Sequence, residues 1–308
     1  MNSSGQQTRV GLVGYGEVGK IFGAGLKGGA GVADVSAWDL KFAERSVRDA
    51  ERADALRAGV TAMDSMQALC ADADLVISAV TASNTLAVAQ EAARHLKPGA
   101  TFLDLNSASP GIKQRAGAAI DGAGGRYVEA GVMTSVPPYG IKVPMLLGGA
   151  RAGELADLLN GWGMAAKPVS DRLGVASAIK MCRSVMIKGL EALVIESYAT
   201  ARAYGVEEHV LPTLEETFPS IDWARQGAYF FSRVVQHGKR RAEEMREAAN
   251  TVREAGFEPF MAAGTADKQQ WVADLASAGV FDGLAKDVRW QDYADRLIAS
   301  GRPERGGE

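Results

Sequence analysis

The chain has 308 residues, 47% of them apolar and 23% charged, enough for two domains of ordinary size, each with its own core. Its 34 basic and 37 acidic residues leave a net charge of −3, which argues against broad attraction to nucleic acid or an anionic membrane. Cys70 and Cys182 imply no disulfide framework, no apolar run reaches about 18 residues, and Met1–Thr8 is polar without a signal-peptide core, so a soluble cytoplasmic protein is predicted.

The first predicted strand, Arg9 to Val13, runs straight into Gly14-Tyr15-Gly16-Glu17-Val18-Gly19. Each glycine answers a different steric demand of a bound dinucleotide: Gly14 permits the tight turn, Gly16 lets backbone approach a pyrophosphate, and Gly19 lets the first helix pack on the strand. The pyrophosphate would sit on that helix's N-terminus, where unpaired N–H groups and the dipole favour negative charge. A second strand, Val32 to Trp38, ends in Asp39, about twenty residues past Gly19, where a carboxylate accepts ribose hydroxyls and repels a 2′-phosphate. The predicted cofactor is NAD, with NADP possible because Lys41 and Arg45 lie close by.

Further strands are predicted at Leu75 to Ala79, Thr101 to Asn106, Arg126 to Ala130 and Met145 to Gly148, separated by helical stretches such as Ala43 to Arg57 and Thr85 to His95. This alternation predicts an α/β fold, a Rossmann-type doubly wound sheet, over residues 8–170. Ligands bind beyond the carboxyl ends of such strands, so Val80, Thr81 and Asn106, in the loops after two of them, are expected to line the cofactor. From residue 171 to 301 strand signals fade and long helices dominate, Ala176 to Tyr204, Gln226 to Ala255 and Ala266 to Ala278, which predicts an all-α C-terminal domain for substrate and dimerisation.

Several segments fall in the order found in the β-hydroxyacid dehydrogenase family, related to 6-phosphogluconate dehydrogenase. Gly14 to Gly19 matches its cofactor motif, Asp104-Leu105-Asn106-Ser107-Ala108-Ser109-Pro110 resembles its Asp-x-Ser-Thr-x-x-Pro stretch, and Glu129-Ala130-Gly131-Val132-Met133-Thr134-Ser135 resembles its substrate motif. Leu173 to Lys180 resembles the stretch leading to the catalytic lysine, and Lys286-Asp287 with Ala294 resembles the late cofactor segment. The resemblance implies cofactor contacts at Tyr15, Glu17, Val18 and Lys286. The chain departs from the family where the substrate motif loses its glycine pair and where Ser184 stands for an asparagine, marks of a divergent subgroup with an uncharacterised C-terminal domain.

Oxidation of a secondary alcohol needs a group that takes the hydroxyl proton while the nicotinamide takes the hydride. Lys180, flanked by Ile179 and Met181 at the start of the first long helix, is the candidate, desolvation lowering its pKa toward neutrality. One turn on, Arg183 is placed to grip a carboxylate and Ser184 to hydrogen-bond the substrate. Thr134 and Ser135, before the stiff Pro137-Pro138 pair, and His237, beside Lys239, Arg240 and Arg241, complete the expected substrate contacts; each competes with a reading as an ordinary turn or solvated helix. No His, Cys, Asp and Glu set has metal-ligand spacing. Expected partners are a small β-hydroxy-acid substrate and a second copy, with Trp223, Tyr229, Phe230 and Phe231 as aromatic interface surface. Imine reduction and non-catalytic dinucleotide sensing are the alternatives; the presence of Lys180 argues for the alcohol.

Overall fold

Residues 7–285 and 288–301 are described by the computed structural model. Among them the strands β1 (Thr8–Val13), β2 (Val32–Trp38), β3 (Thr61–Ala62), β4 (Leu75–Ser78), β5 (Thr101–Asp104), β6 (Arg126–Val132), β7 (Pro144–Gly148) and β8 (Ala165–Ser170) form one 8-stranded sheet. Their order is β3-β2-β1-β4-β5-β6-β7-β8, and every pairing is parallel except β6 with β7. The helices of this part are α1 (Glu17–Leu26), α2 (Arg48–Arg57), α3 (Met66–Asp72), α4 (Thr85–Ala93), α5 (Pro110–Gly122) and α6 (Ala152–Gly161). The sheet is the Rossmann-type one the sequence pattern predicts.

Alternate strand residues feed two apolar cores, one on each face. Leu12, Ile77, Leu103 and Val128 belong to one, Val13, Val76, Phe102 and Tyr127 to the other. Burying each such large side chain contributes about 1.5–3 kcal/mol, so the central strands hold the sheet. Neither β3 nor β8 is among the predicted strands. β3 is only two residues long, and β8 contains Pro168, tolerated because β8 is an edge strand with a free side. The predicted helix from Ala43 begins instead at Arg48, because Asp39 caps a short 3₁₀ turn at Leu40–Phe42 through the Lys41 amide.

Beyond β8 the described chain is helical: α7 (Val175–Tyr204), α8 (Glu207–Thr217), α9 (Trp223–Glu254), α10 (Phe260–Ser277) and α11 (Trp290–Gly301). The change from strand to helix comes after Ser170, and the chain divides into two compact units inside α7, between Met181 and Cys182. The second unit has its own core, which includes Trp223, Phe230 and Phe231. These three are therefore not interface surface, since intradomain packing has already desolvated them; Tyr229 alone of the four predicted aromatics is exposed. Among the described residues no helix is long and apolar enough to cross a membrane.

Candidate active site

The turn after β1 is built by steric necessity. Gly14 adopts φ +94°, and a Cβ there would lie 2.5 Å from the Ala79 carbonyl oxygen. A Cβ on Gly19 would overlap the Gly14 carbonyl oxygen, so only glycine lets α1 seat this close to the strand. Gly16 differs: its Cβ would meet nothing within 4 Å, leaving the backbone at the start of α1 open. Gly16 is also the N-cap of α1 and offers no side-chain cap, so the first-turn amides are available to an anion. These features fit a dinucleotide pyrophosphate.

Asp39, at the end of β2, accepts hydrogen bonds from the Tyr15 amide at 2.7 Å and the Lys41 amide at 3.0 Å. The carboxylate is thereby held against the glycine loop, and each oxygen keeps a lone pair for a ribose hydroxyl. The Tyr15 side chain points the other way, into the core against Phe42, and burial pushes its hydroxyl pKa up. Its contribution to the loop is its amide. Glu17 is exposed and Val18 half-buried on the first turn of α1. Val80 and Thr81 follow β4, where the Val80 amide donates to Asn106 Oδ1 at 2.7 Å. Asn106 Nδ2 in turn donates to Ser78 Oγ at 3.0 Å, which ties the loops after β4 and β5 together.

Beneath these loops lies a row of residues paired across the sheet: Ser78, Asp104, Glu129 and Gly148. Asp104 is fully buried; it accepts from the Asn106 amide at 2.9 Å, the Tyr127 hydroxyl at 2.6 Å and Lys113 Nζ at 2.9 Å. Burial, then the Asp104 charge, holds the Tyr127 pKa well above its ordinary value, so the phenol stays a donor. Glu129, also fully buried, accepts from the Gly174 and Ala176 amides at 2.8 and 3.0 Å, at the start of α7.

Lys180 lies on the second turn of α7. Its Nζ donates to Ser107 Oγ at 2.6 Å, joining the helix to the loop after β5. Close approach is possible because β6 carries Gly131, whose Cβ would stand 3.0 Å from the Ala176 carbonyl oxygen and 3.5 Å from Lys180 Cβ. Thr134, exposed, and Ser135, half-buried, lie just beyond the carboxyl end of β6.

Arg183 and Ser184, one turn further along α7, fall in the second unit; Arg183 is exposed and Ser184 buried. His237 is half-buried on α9 in that unit. The same unit buries an ion-pair group, Lys188 with Glu244 and Arg241 with Glu191, with Gln269 Nε2 3.4 Å from Glu191. Burial there pushes the Lys188 pKa down and the Glu191 pKa up, each opposed by its partner. Lys286 lies outside the described residues.

Residues 9–142 match the family model of the NAD binding domain of 6-phosphogluconate dehydrogenase, and residues 201–272 match a domain of unknown function (DUF1932). A conserved hypothetical protein from Sinorhizobium meliloti 1021 is 39% identical, covering 97% of this chain and 99% of its own, with a TM-score of 0.76. The conserved protein MTH1747, of unknown function and described as structurally similar to 3-hydroxyacid dehydrogenases, is 31% identical over 88% of this chain and 98% of its own, with a TM-score of 0.67. The chain belongs to this 6-phosphogluconate-dehydrogenase-like family. The Mycobacterium tuberculosis 3-hydroxyisobutyrate dehydrogenase, solved with L-serine, shares the fold at 16% identity and a TM-score of 0.66, covering 94% of this chain and 99% of its own.

This 6-phosphogluconate-dehydrogenase-like protein thus carries an NAD(P)-binding domain, and the geometry of the glycine loop and Asp39 fits such a cofactor. Four residues around Lys180 are absent from the predicted contacts: Ser107, Asp104, Lys113 and Glu129. One signal for Glu129 and Asp104 was in the strands themselves, since a carboxylate flanked by Val128 and Ala130, or by Leu103 and Leu105, is expensive to bury and marks a built contact.

Proposed function

We propose that the protein is an NAD(P)-dependent dehydrogenase of a small β-hydroxy acid, with Lys180 as the acid/base group. The observation that carries this reading is the 2.6 Å hydrogen bond from Lys180 Nζ to Ser107, in the same unit as the dinucleotide loop and at the carboxyl ends of the strands that hold it. When bound, the nicotinamide supplies the acceptor or donor of hydride. The chain's own part is to bind, orient and move one proton. Neutral Lys180 accepts the hydroxyl proton at Nζ as the alcohol is oxidised, and the resulting ammonium returns it in reduction. Ser107 holds the amine in place, and Thr134 and Ser135 supply hydroxyls for the substrate. Arg183, Ser184 and His237 are proposed as further substrate contacts.

Lys180 favours an alcohol over an imine, because an amine can take the hydroxyl proton as a base and return it as an acid. The net charge of −3 and the two free cysteines support a cytoplasmic protein that binds neither nucleic acid nor membrane. A homodimer is part of the proposal, and light scattering at micromolar concentration tests it: a monomeric mass removes it.

Steady-state kinetics with 3-hydroxyisobutyrate and L-serine as first probes, followed by a wider set of β-hydroxy acids, tests the reading. Lys180→Ala is expected to lower turnover by about 10²- to 10⁴-fold, the range for a positioned acid/base group, with NAD(P) affinity unchanged. Lys180→Arg is not expected to rescue, since a guanidinium stays protonated. Tight NAD(P) binding with no turnover of any hydroxy acid favours dinucleotide sensing instead.

A further inference from the structure

Lys180 reaches Ser107 only if α7 begins at one height above the sheet. The residue before the helix is Gly174, at φ +99°, which has no side chain with which to cap it. The cap comes from elsewhere. Glu129, on β6, directs Oε1 to the amides of Gly174 and Ala176, and with no solvent-exposed surface it is committed to that contact. An ionised carboxylate is costly to bury, but two amide donors and the positive end of a long helix are the surroundings that offset the cost.

The same strand docks α7 a second time. Gly131, two residues along β6 and on the same face, meets the Ala176 carbonyl and Lys180 Cβ without a side chain between. On the neighbouring strand, Gly148 makes room for the carboxylate, since a Cβ there would stand 2.5 Å from Glu129 Oε1. Asp104, the register partner of Glu129 on β5, holds the amide of Asn106, the residue before Ser107. Both ends of the Lys180–Ser107 hydrogen bond therefore hang on two adjacent buried carboxylates.

We propose that Glu129 is a positioning residue for proton transfer: its carboxylate caps the helix that carries Lys180 and so sets Nζ against Ser107. This rests on Lys180 being the acid/base group. Glu129 touches neither substrate nor cofactor in this role. Glu129→Gln keeps the size and one acceptor oxygen but removes the charge, whereas Gly148→Ala keeps the charge and crowds the carboxylate off its place.

The test measures four quantities in both variants: melting temperature, NAD(P) affinity by calorimetry, kcat and KM, and the rate of Lys180 acylation by acetic anhydride against pH. The acylation midpoint reports the amine's protonation without any substrate. Expected is a fall in kcat of about 10²-fold, the cost of misplacing a reacting group by roughly 1 Å, with KM and NAD(P) affinity within about twofold and the acylation midpoint displaced. A lower melting temperature with kcat and midpoint unchanged in either folded variant overturns the proposal, because Glu129 would then be structural only. Joint loss of NAD(P) affinity and kcat overturns it too. If Lys180→Ala retains turnover, the acid/base reading fails by itself, while the midpoint in Glu129→Gln still shows whether Glu129 places the amine.

Discussion

Asp104 and Lys113 form an ion pair, Oδ1 to Nζ at 2.9 Å, in which neither side chain is exposed to solvent at all. Lys113, on α5, also donates to the Asp104 carbonyl at 3.0 Å, so the end of β5 is gripped by both backbone and side chain. Because the same carboxylate holds the Asn106 amide, the pair carries the loop that presents Ser107. Lys113→Met is expected to destabilise the protein by about 3–5 kcal/mol, the cost of leaving one buried charge unpaired. Chemical denaturation measures this; a loss under about 1 kcal/mol would show that the charge is solvated or neutralised some other way.

The three loop glycines are expected to separate by readout. Gly14→Ala and Gly19→Ala should lower the melting temperature, since the first meets backbone 2.5 Å away at a positive φ and the second overlaps the Gly14 carbonyl. Strain of this kind costs about 1–3 kcal/mol per residue. Gly16→Ala has open space around it and should melt near the wild type while losing NAD(P) affinity, because the methyl group stands where the pyrophosphate approaches. Equal affinity in wild type and Gly16→Ala by calorimetry would place the pyrophosphate elsewhere.

Asp39 is expected to make NAD the preferred cofactor. Its carboxylate, fixed by the Tyr15 and Lys41 amides, accepts ribose hydroxyls and repels a 2′-phosphate. Asp39→Ala should weaken NAD by about tenfold or more, the worth of a hydrogen bond to a charged acceptor, and weaken NADP less. Tighter NADP than NAD in the wild type would overturn the assignment and point to Lys41 as the phosphate contact.

The two cysteines should be distinguishable by their chemistry. Burial pushes the Cys70 thiol up to about 12, while Cys182 is exposed. With the thiolate as the reactive form, dithionitrobenzoate at pH 8 should label one equivalent in the native protein and two after unfolding. The raised value also has a stability consequence: a thiol that ionises near 8.5 when unfolded but about 12 when folded contributes stability below the first value and loses it as pH rises through the second. Rapid native labelling of both thiols would show that Cys70 is reached by opening of the helix Met66–Asp72.

The sequence by itself determined the periodic and glycine-dependent features. Strands such as Leu75–Ser78 are continuous apolar runs, the mark of burial on both faces, and the Gly14-x-Gly16-x-x-Gly19 spacing specifies a strand-to-helix turn because no side chain fits at Gly14 or Gly19. Local signals of this kind survive in any context. The edge strands β3 and β8 were not legible for the opposite reason: one is too short for a period, and the other contains Pro168 and is a strand only because β7 pairs with it.

The candidate site divides the same way. Lys180 was legible from its place in a long helix and from the family motif, but its partner was not, because Ser107 is 73 positions away in the chain. The contacts of Glu129 with Gly174 and Ala176 span 45 and 47 positions, and nothing in either segment announces the other. The sequence marks Asp104 and Glu129 as carboxylates inside apolar strands, costly to bury and so in need of partners. Which partners they have is a matter of sheet register and of where α5 and α7 begin. Only the tertiary structure decides that, because the geometry of the parallel crossovers and of the antiparallel β6–β7 pairing, not local sequence, brings the row of Ser78, Asp104, Glu129 and Gly148 into line.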